Sequence, residues 1–114
     1  MVVSDWLAEG LHLFNEGRFY DAHEVWEDLW RATTDPSLRI CYQGLIQAAV
    51  GLYHLDRRNQ TGARSQLGKS IRNLQAGAGN ATGLDIESLI GELTRLVSNM
   101  PEEPPRSLRI VPLK

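Results

Sequence analysis

The stretch that decides the fold is ICYQGLIQAAVGLYHL, residues 40–55, which contains no charged side chain. A helix that is apolar on every side is buried on every side. These 16 residues include two glutamines and a histidine, so the stretch is too short and too polar to cross a membrane. It therefore predicts a central helix with the rest of the chain packed around it.

The sequence on either side predicts four more helices and a non-helical tail. Apolar residues recur at helical spacing, as at Ala63, Leu67, Ile71 and Leu74, while the alternation of a β-strand is found only in LRIVPL, which is too short to matter. Prolines exclude a helix from the segment PEEPPRSLRIVPLK. We expect one all-α domain, a compact five-helix bundle in which the third helix is central and surrounded by the other four. The predicted helices cover about residues 4–16, 19–32, 37–58, 62–76 and 85–99 of a single domain over 1–114, and residues 100–114 form an extended C-terminal tail.

Composition limits the compartment and the class of partner. The chain has one cysteine, Cys41, so an intrachain disulfide is excluded, and its first ten residues do not resemble a signal peptide. We therefore expect a cytoplasmic protein. The net charge of −2 argues against a dedicated nucleic-acid binder. The expected partners are another protein or a second copy of the chain, with no nucleic acid and no membrane.

The charge is unevenly distributed along the chain. Residues 1–36 carry eight acidic and two basic side chains, a net charge of −6, whereas residues 37–76 carry six basic and one acidic, a net charge of +5. The simplest interpretation is that the two halves attract each other within one domain. The alternative is that the basic run Arg57, Arg58, Arg64, Lys69 and Arg72 meets an acidic partner or RNA. That run has no interleaved aromatic residues, which disfavours a stacking platform for RNA.

The second helix carries the candidate chemistry, His23 and Glu27. On a helical wheel, His23 lies at the edge of the apolar arc and Glu27 lies about 40° further around, whereas Glu24 points toward water. The string HEVWE therefore differs from the metalloprotease motif H-E-x-x-H, because Glu27 stands where that motif has its second histidine.

The third helix carries a stripe of polar side chains that need partners. Gln43, Gln47 and His54 lie within about 40° of one another on the wheel. Buried amides and imidazoles must be hydrogen-bonded. We therefore predict a polar seam in which this stripe faces His23 and Glu27 on the second helix.

The predicted seam has three interpretations. It is a hydrogen-bonded network that fixes helix register, a ligand or substrate pocket, or a metal site formed by His23, Glu27 and His54. The catalytic candidates are Glu27, His23 and His54. A divalent metal is the one cofactor considered, and no cofactor is assigned. The ligand-binding candidates are His23, Glu27, Gln43, Gln47, His54, Trp26 and Trp30, although the aromatic cluster that includes both tryptophans is predicted to be core.

Two segments together resemble a known family. LFNEGRFYDAHEVWEDLWR, residues 13–31, followed by GLIQAAVGLYHL, residues 44–55, is similar to the bacterial and archaeal family catalogued as domain of unknown function number 309. Every specified position of the family pattern F-N-x-G-x-[FY]-[FY]-x-A-H-E-x-[LW]-E-x-x-W is met between Phe14 and Trp30. At residue 21, which the pattern leaves open, the family often has Glu, and Asp21 is a conservative departure. The resemblance implies a five-helix domain with one helix surrounded by four, and it implies no activity.

Two classes of function follow from these features, and they leave open whether the protein is an enzyme. The first is a non-enzymatic interaction or structural module that binds a protein or self-associates, with the seam as internal structure. The second is a small hydrolase, or a protein that binds a polar ligand or a metal, using His23, Glu27 and His54. We favour the first, because a glutamine-rich seam suits hydrogen bonding more than proton transfer.

Overall fold

The computed structural model describes residues 3–113, with side chains from residue 5 onward, and five α-helices span this part of the chain. The predicted all-α fold is confirmed. The predicted tail extended to residue 114, which lies outside the described residues. Within residues 3–113, no helix combines the length and the apolarity that a membrane crossing requires. The helices are α1 (Val3–Asn15), α2 (Phe19–Ala32), α3 (Pro36–Asp56), α4 (Gln60–Ala76) and α5 (Ile86–Ser98), with a short 3₁₀ turn at Gly79–Thr82 before α5.

Side-chain caps set the starts of three helices. Asp35 accepts a hydrogen bond from the backbone N–H of Leu38 at 2.9 Å, with Pro36 in the first position of α3. Asp85 caps α5 in the same way, and Asn59 caps α4. A carboxylate or amide oxygen at this position satisfies a backbone N–H that has no partner within the helix. These local signals account for where α3, α4 and α5 begin.

The central position of α3 is confirmed, since α3 packs along both α2 and α4, while α1 packs on α2 and α5 on α4. Its closest neighbour is α4. A Cβ atom built on Gly44 would lie 2.8 Å from Leu74, and one on Gly51 would lie 2.7 Å from Leu67. The two glycines therefore let the backbones of α3 and α4 approach closely. The hydroxyl of Ser70 uses that proximity to donate a hydrogen bond to the Gly44 carbonyl at 2.6 Å.

Trp26 anchors α2 in the core against α1. Its side chain has no exposed surface, and its Nε1 donates a hydrogen bond to the backbone carbonyl of Leu7 at 3.3 Å. The ring also packs against Phe14, with 5.7 Å between ring centroids. Gly10 faces the indole so closely that a Cβ atom at this position would collide with it. The predicted core role of this aromatic side chain is confirmed.

The C-terminal segment is extended and lies along the bundle. The side chain of Asn15, at the end of α1, both donates to the Ile110 carbonyl and accepts from the Ile110 N–H, each at 2.9 Å. Further along, Asp85 donates its N–H to the carbonyl of Val111 at 2.7 Å. Ile110 is buried in the core. The tail therefore joins the end of α1 to the start of α5.

Candidate functional site

His23 and Glu27 meet on the side of α2. The Nε2 atom of His23 lies 3.1 Å from Oε1 of Glu27, and Arg31 donates from Nη2 to the other carboxylate oxygen at 3.2 Å. Glu27 lies one helical turn from His23 and one turn from Arg31, a spacing that brings side chains on one helix into contact. The His23 side chain is 20% exposed and that of Glu27 is 38% exposed. The pair is thus a half-buried surface group, with both oxygens of the carboxylate already engaged.

The prediction of a polar seam between α2 and α3 is wrong, because the side-chain amide of Gln47 faces α4. Its Oε1 accepts a hydrogen bond from Nδ2 of Asn73 at 2.7 Å. Gln43 is exposed to solvent. The physical reason is the close approach of α4 to the glycines of α3. Gly51 lies only about 40° from Gln47 on the wheel, so the side of α3 that carries Gln47 belongs to the α3–α4 contact.

His54 lies at the end of α3, beside the turn into α4. Its Nδ1 is 3.4 Å from Nδ2 of Asn59, the residue that caps α4. The three candidate metal ligands His23, Glu27 and His54 are not brought together. Among the side chains described, from residue 5 to residue 113, no three His, Cys, Asp or Glu residues are close enough to bind one metal ion.

Two tyrosines connect His23 to His54 across the surface between α2 and α3. The ring centroid of Tyr20 lies 5.4 Å from that of His23 and 5.3 Å from that of Tyr53, which is in turn 6.1 Å from that of His54. We call these four side chains, His23, Tyr20, Tyr53 and His54, the ring ladder. Tyr20 is 49% exposed. The two histidines predicted as site residues therefore share a surface, although they do not touch.

Sequence reasoning gave neither tyrosine a role in a site. The available signal was topological. A short connection between α2 and α3 makes them antiparallel neighbours, which places the start of α2 beside the end of α3. Tyr20 and Tyr53 are the tyrosines at those two ends. The aromatic residues Phe19 and Trp26 of α2 belong instead to its buried arc.

Trp30, a candidate ligand-binding residue, is covered by Arg39 of α3. The Cζ atom of Arg39 lies 4.0 Å from the centroid of the indole. Its Nη1 also donates to the backbone carbonyls of Trp30 and Thr33, at 2.8 Å and 3.0 Å. The Trp30 carbonyl also accepts the capping N–H of Thr33 at 3.3 Å, so the guanidinium adds a charged donor at the C-terminal end of α2, where cations are favourable. Arg39 therefore ties the start of α3 to the end of α2 and covers the Trp30 ring.

Ion pairs in the first half of the chain form within local segments. Glu16 pairs with His12, and Asp21 pairs with Arg18, while Arg31 contacts carboxylates of its own helix. The attraction expected between the two halves therefore does not take the form of direct ion pairs among the described residues. Of the four acidic residues of α2, Glu24 and Asp28 are exposed, whereas Asp21 and Glu27 are partly buried.

Cys41, the single cysteine, is fully buried. Burial raises the pKa of its thiol from 9.0 to about 11, because the charged thiolate is poorly solvated inside the protein. A thiol with such a pKa is a poor nucleophile near neutral pH, which agrees with a packing role.

Comparison with known proteins gives a family and no activity. A family described as "Domain of unknown function (DUF309)" matches residues 7–66, the segment that carries the whole ring ladder. An uncharacterized protein of Aquifex aeolicus (strain VF5) is 27% identical over 103 residues, which cover 84% of this chain and 30% of that protein. The uncharacterized protein YpuF of Bacillus subtilis (strain 168) is 38% identical over 58 residues, or 51% of this chain and 33% of that protein.

The chain thus spans about a third of the length of these curated relatives. The family match covers 60 of its 114 residues and includes the motif that contains Tyr20, His23 and Glu27. On this match, which extends over more than half of the sequence, the chain belongs to the DUF309 family.

Proposed function

We propose that this domain is a non-enzymatic protein-interaction module and that the ring ladder is its contact surface. The observation that carries the proposal is the position of Tyr20. Its ring is half exposed, yet it is packed between His23 of its own helix and Tyr53 of α3. Tyrosine is enriched at protein interfaces because it offers a large apolar ring with a polar end and few rotatable bonds.

The packing of the ladder also supports this role. Each ring rests on a neighbour, and Arg57 at the end of α3 lies over Tyr53, with 5.6 Å between its Cζ atom and the ring centroid. Side chains that are already held in place lose little conformational entropy when a partner binds. The surface is therefore preorganised for binding.

The geometry of His23 and Glu27 favours a structural role for the pair over acid–base catalysis. A general base needs an acceptor atom that can reach a proton on a substrate. Both carboxylate oxygens of Glu27 are engaged, one with His23 and one with Arg31. The pair instead fixes the His23 ring beside Tyr20, at one end of the ladder.

We place the module in the cytoplasm. A single free thiol that is buried in the core fits a reducing compartment, where disulfides do not contribute to stability.

Site-specific photo-cross-linking tests the proposed contact surface. A benzophenone amino acid is placed at Tyr20 in the chain expressed in its native cells, and at Gln75, an exposed residue of α4, as the control. The probe at Tyr20 should give discrete cross-linked protein bands that the probe at Gln75 does not give. Equal labelling from the two positions, or no band from Tyr20, would overturn the proposal.

A further inference from the structure

Tyr20 and Tyr53, the two central residues of the ring ladder, place two phenols side by side. Their ring centroids are 5.3 Å apart and their planes are inclined at 53°, which is the geometry of aromatic rings in direct contact. The two side chains come from different helices, Tyr20 from the first turn of α2 and Tyr53 from the last turn of α3. A single bond between the rings would therefore join the two helices.

The pair of phenols is open to solutes, unlike the remaining tyrosine of the chain. Tyr20 is 49% exposed and Tyr53 is partly exposed. Tyr42, the third of the three tyrosines, is only 6% exposed and belongs to the hydrophobic core. A small oxidant that diffuses in solution therefore reaches Tyr20 far more readily than it reaches Tyr42.

Neighbouring side chains hold both phenols in place. Tyr20 also packs on His23, with 5.4 Å between ring centroids, and Arg57 lies over Tyr53, with its Cζ atom 5.6 Å from the ring centroid. The two phenols stay together, whereas a phenol of another molecule has to diffuse to them. Their effective concentration for each other is therefore far above any protein concentration in solution, so oxidation should join rings within one chain.

We propose that Tyr20 and Tyr53 form a modification site, at which oxidation couples them into an intramolecular dityrosine. The oxidant is a one-electron acceptor, the chemical class to which an oxidised haem iron and the carbonate radical belong. The site requires two exposed phenols in contact and no bound cofactor, and the packing of α2 on α3 supplies that contact.

The coupling consumes two equivalents of the one-electron oxidant. Each phenol gives one electron to the oxidant and its hydroxyl proton to water, which leaves two phenoxyl radicals. The radicals combine at one Cε atom of each ring, so one carbon–carbon bond forms. The hydrogen on each of these carbons then moves as a proton to the oxygen of the same ring, and both rings become aromatic phenols again. The protein has then lost two hydrogen atoms in all.

The new bond closes the open end of the α2–α3 hairpin. The chain connects these helices at the other end, through residues 33–35. A cross-link between distant positions restricts the unfolded chain, as a disulfide does, so the coupled protein should unfold at a higher urea concentration. Thiols exchange with disulfides and not with carbon–carbon bonds, so the modification also persists in a reducing compartment.

Brief photo-oxidation of the dilute wild-type chain tests the site. Visible light, tris(bipyridyl)ruthenium(II) and persulfate together generate ruthenium(III), which is a one-electron oxidant. The expected product is a monomer that shows dityrosine fluorescence and whose mass is lower by two hydrogen atoms. Its yield should not change when the protein concentration is varied about tenfold, because the coupling is intramolecular. After cleavage at arginine, the new bond should join the peptides 19–31 and 40–57.

Phenylalanine variants identify the two partners, since the peptide 40–57 contains both Tyr42 and Tyr53. Tyr20→Phe and Tyr53→Phe should each lower the dityrosine emission of the monomer by about tenfold or more, because the phenol held nearby is lost. Tyr42→Phe is the matched control and should keep the wild-type yield. Each substitution removes only a hydroxyl group, and far-ultraviolet circular dichroism shows that each variant is folded.

The same reaction in concentrated urea separates the effect of packing from that of composition. The unfolded chain keeps all three tyrosines but loses their contact, so the yield of dityrosine in the monomer should fall.

Four results would overturn the inference: mainly covalent dimers from the wild-type chain, an undiminished yield from Tyr20→Phe or from Tyr53→Phe, an equal yield in urea, and oxidised tyrosine without dityrosine. The coupling depends on the packing of the two rings and on no binding partner. Each of these results therefore leaves the proposed contact surface standing, and a failed cross-link from the probe at Tyr20 leaves the dityrosine site standing.

Discussion

Asn15 and Ile110 are 95 positions apart in the chain and form two reciprocal hydrogen bonds, each 2.9 Å long. The side-chain amide of Asn15 acts as a peptide group would in a neighbouring strand, since it donates to the carbonyl of Ile110 and accepts from its N–H. The bonds lie in a partly buried position, and the Ile110 side chain beside them is buried in the core. One side chain therefore fixes the tail against the end of α1.

Asn15→Ala should remove both of these bonds and leave the backbone of Ile110 without a partner. Burying an unpaired polar group costs about 1–3 kcal/mol, and we expect the free energy of unfolding to fall by that amount. Urea denaturation measures the loss, and amide hydrogen exchange should show faster exchange at Ile110. Gln75→Ala, at an exposed position of α4, is the control and should change neither quantity. Unchanged exchange at Ile110 in the Asn15 variant would contradict the assigned role.

Gly10→Ala and Gly91→Ala should change stability in opposite directions, although both glycines lie inside helices. A methyl group at Gly10 collides with the indole of Trp26. Overpacking of this kind costs about 1–3 kcal/mol. The nearest atom to a Cβ at Gly91 is Nη1 of Arg95, at 3.7 Å, which is ordinary contact with a flexible side chain. Alanine there should stabilise α5 by about 0.5–1 kcal/mol through helix propensity.

Equilibrium unfolding monitored by tryptophan fluorescence measures both glycine variants. Trp26, one of three tryptophans, lies at the collision, so the emission of the folded protein should shift in Gly10→Ala and stay unchanged in Gly91→Ala. A Gly10→Ala protein as stable as wild type would show that α1 can move away from α2 at little cost.

Gln47→Leu should destabilise the contact between α3 and α4 and leave α2 unaffected. The variant deprives Asn73 of its hydrogen-bond acceptor, at a cost of about 1–3 kcal/mol. The double variant with Asn73→Leu should lose less than the sum of the two single variants, by about 1 kcal/mol, because the two residues are directly coupled. A thermodynamic cycle of urea denaturation measures that coupling. Nuclear magnetic resonance shifts of the His23 ring should not change in Gln47→Leu, and a clear change would show that a polar network reaches α2.

The buried thiol of Cys41 should make stability fall at alkaline pH. Its pKa is about 11 in the folded chain against an ordinary 9.0, so the unfolded chain releases this proton first as the pH rises. The stabilisation is therefore complete below pH 9 and is lost between about pH 9 and 11, by up to about 1.4 kcal/mol per pH unit.

Urea denaturation at about pH 8 and about pH 10, on wild type and on Cys41→Ala, isolates this contribution. The pKa of Tyr42 is also raised, first by burial and then by the charges of Cys41 and Asp35, so Cys41→Ala removes part of that shift as well, and this acts in the same direction. The loss of stability between the two pH values should be smaller in Cys41→Ala. Equal losses in the two proteins would contradict the assignment to Cys41.

The elements of the fold follow from the sequence because their signals are local. The uncharged residues 40–55 predicted a central helix, and Asp35 and Asp85 are caps whose effect reaches only three residues along the chain. The contact between His23 and Glu27 is of the same kind, since both belong to one helix and lie one turn apart. Features that depend on a single turn of backbone were therefore predictable.

The partners of the α3 side chains could not be predicted in the same way. A helical wheel shows that Gln43, Gln47 and His54 share a side of α3, but it does not show which neighbour covers that side. The two glycines of α3 determine which helix covers that side, because they let the backbone of α4 approach closely. Tyr20 and Tyr53 come together through the crossing of two helices, and Asn15 meets Ile110 through the path of the tail. Each of these contacts depends on tertiary structure that no single segment encodes.

The bond between Asn15 and Ile110 also orders events during synthesis. On the ribosome, α1 is made before residue 110, and the other four described helices are made in between. The nascent chain can bury the apolar sides of its helices while the Asn15 amide still has water as its partner. A product that stops before residue 110 would therefore leave the Asn15 amide without its protein partner and the end of α1 uncovered by the tail.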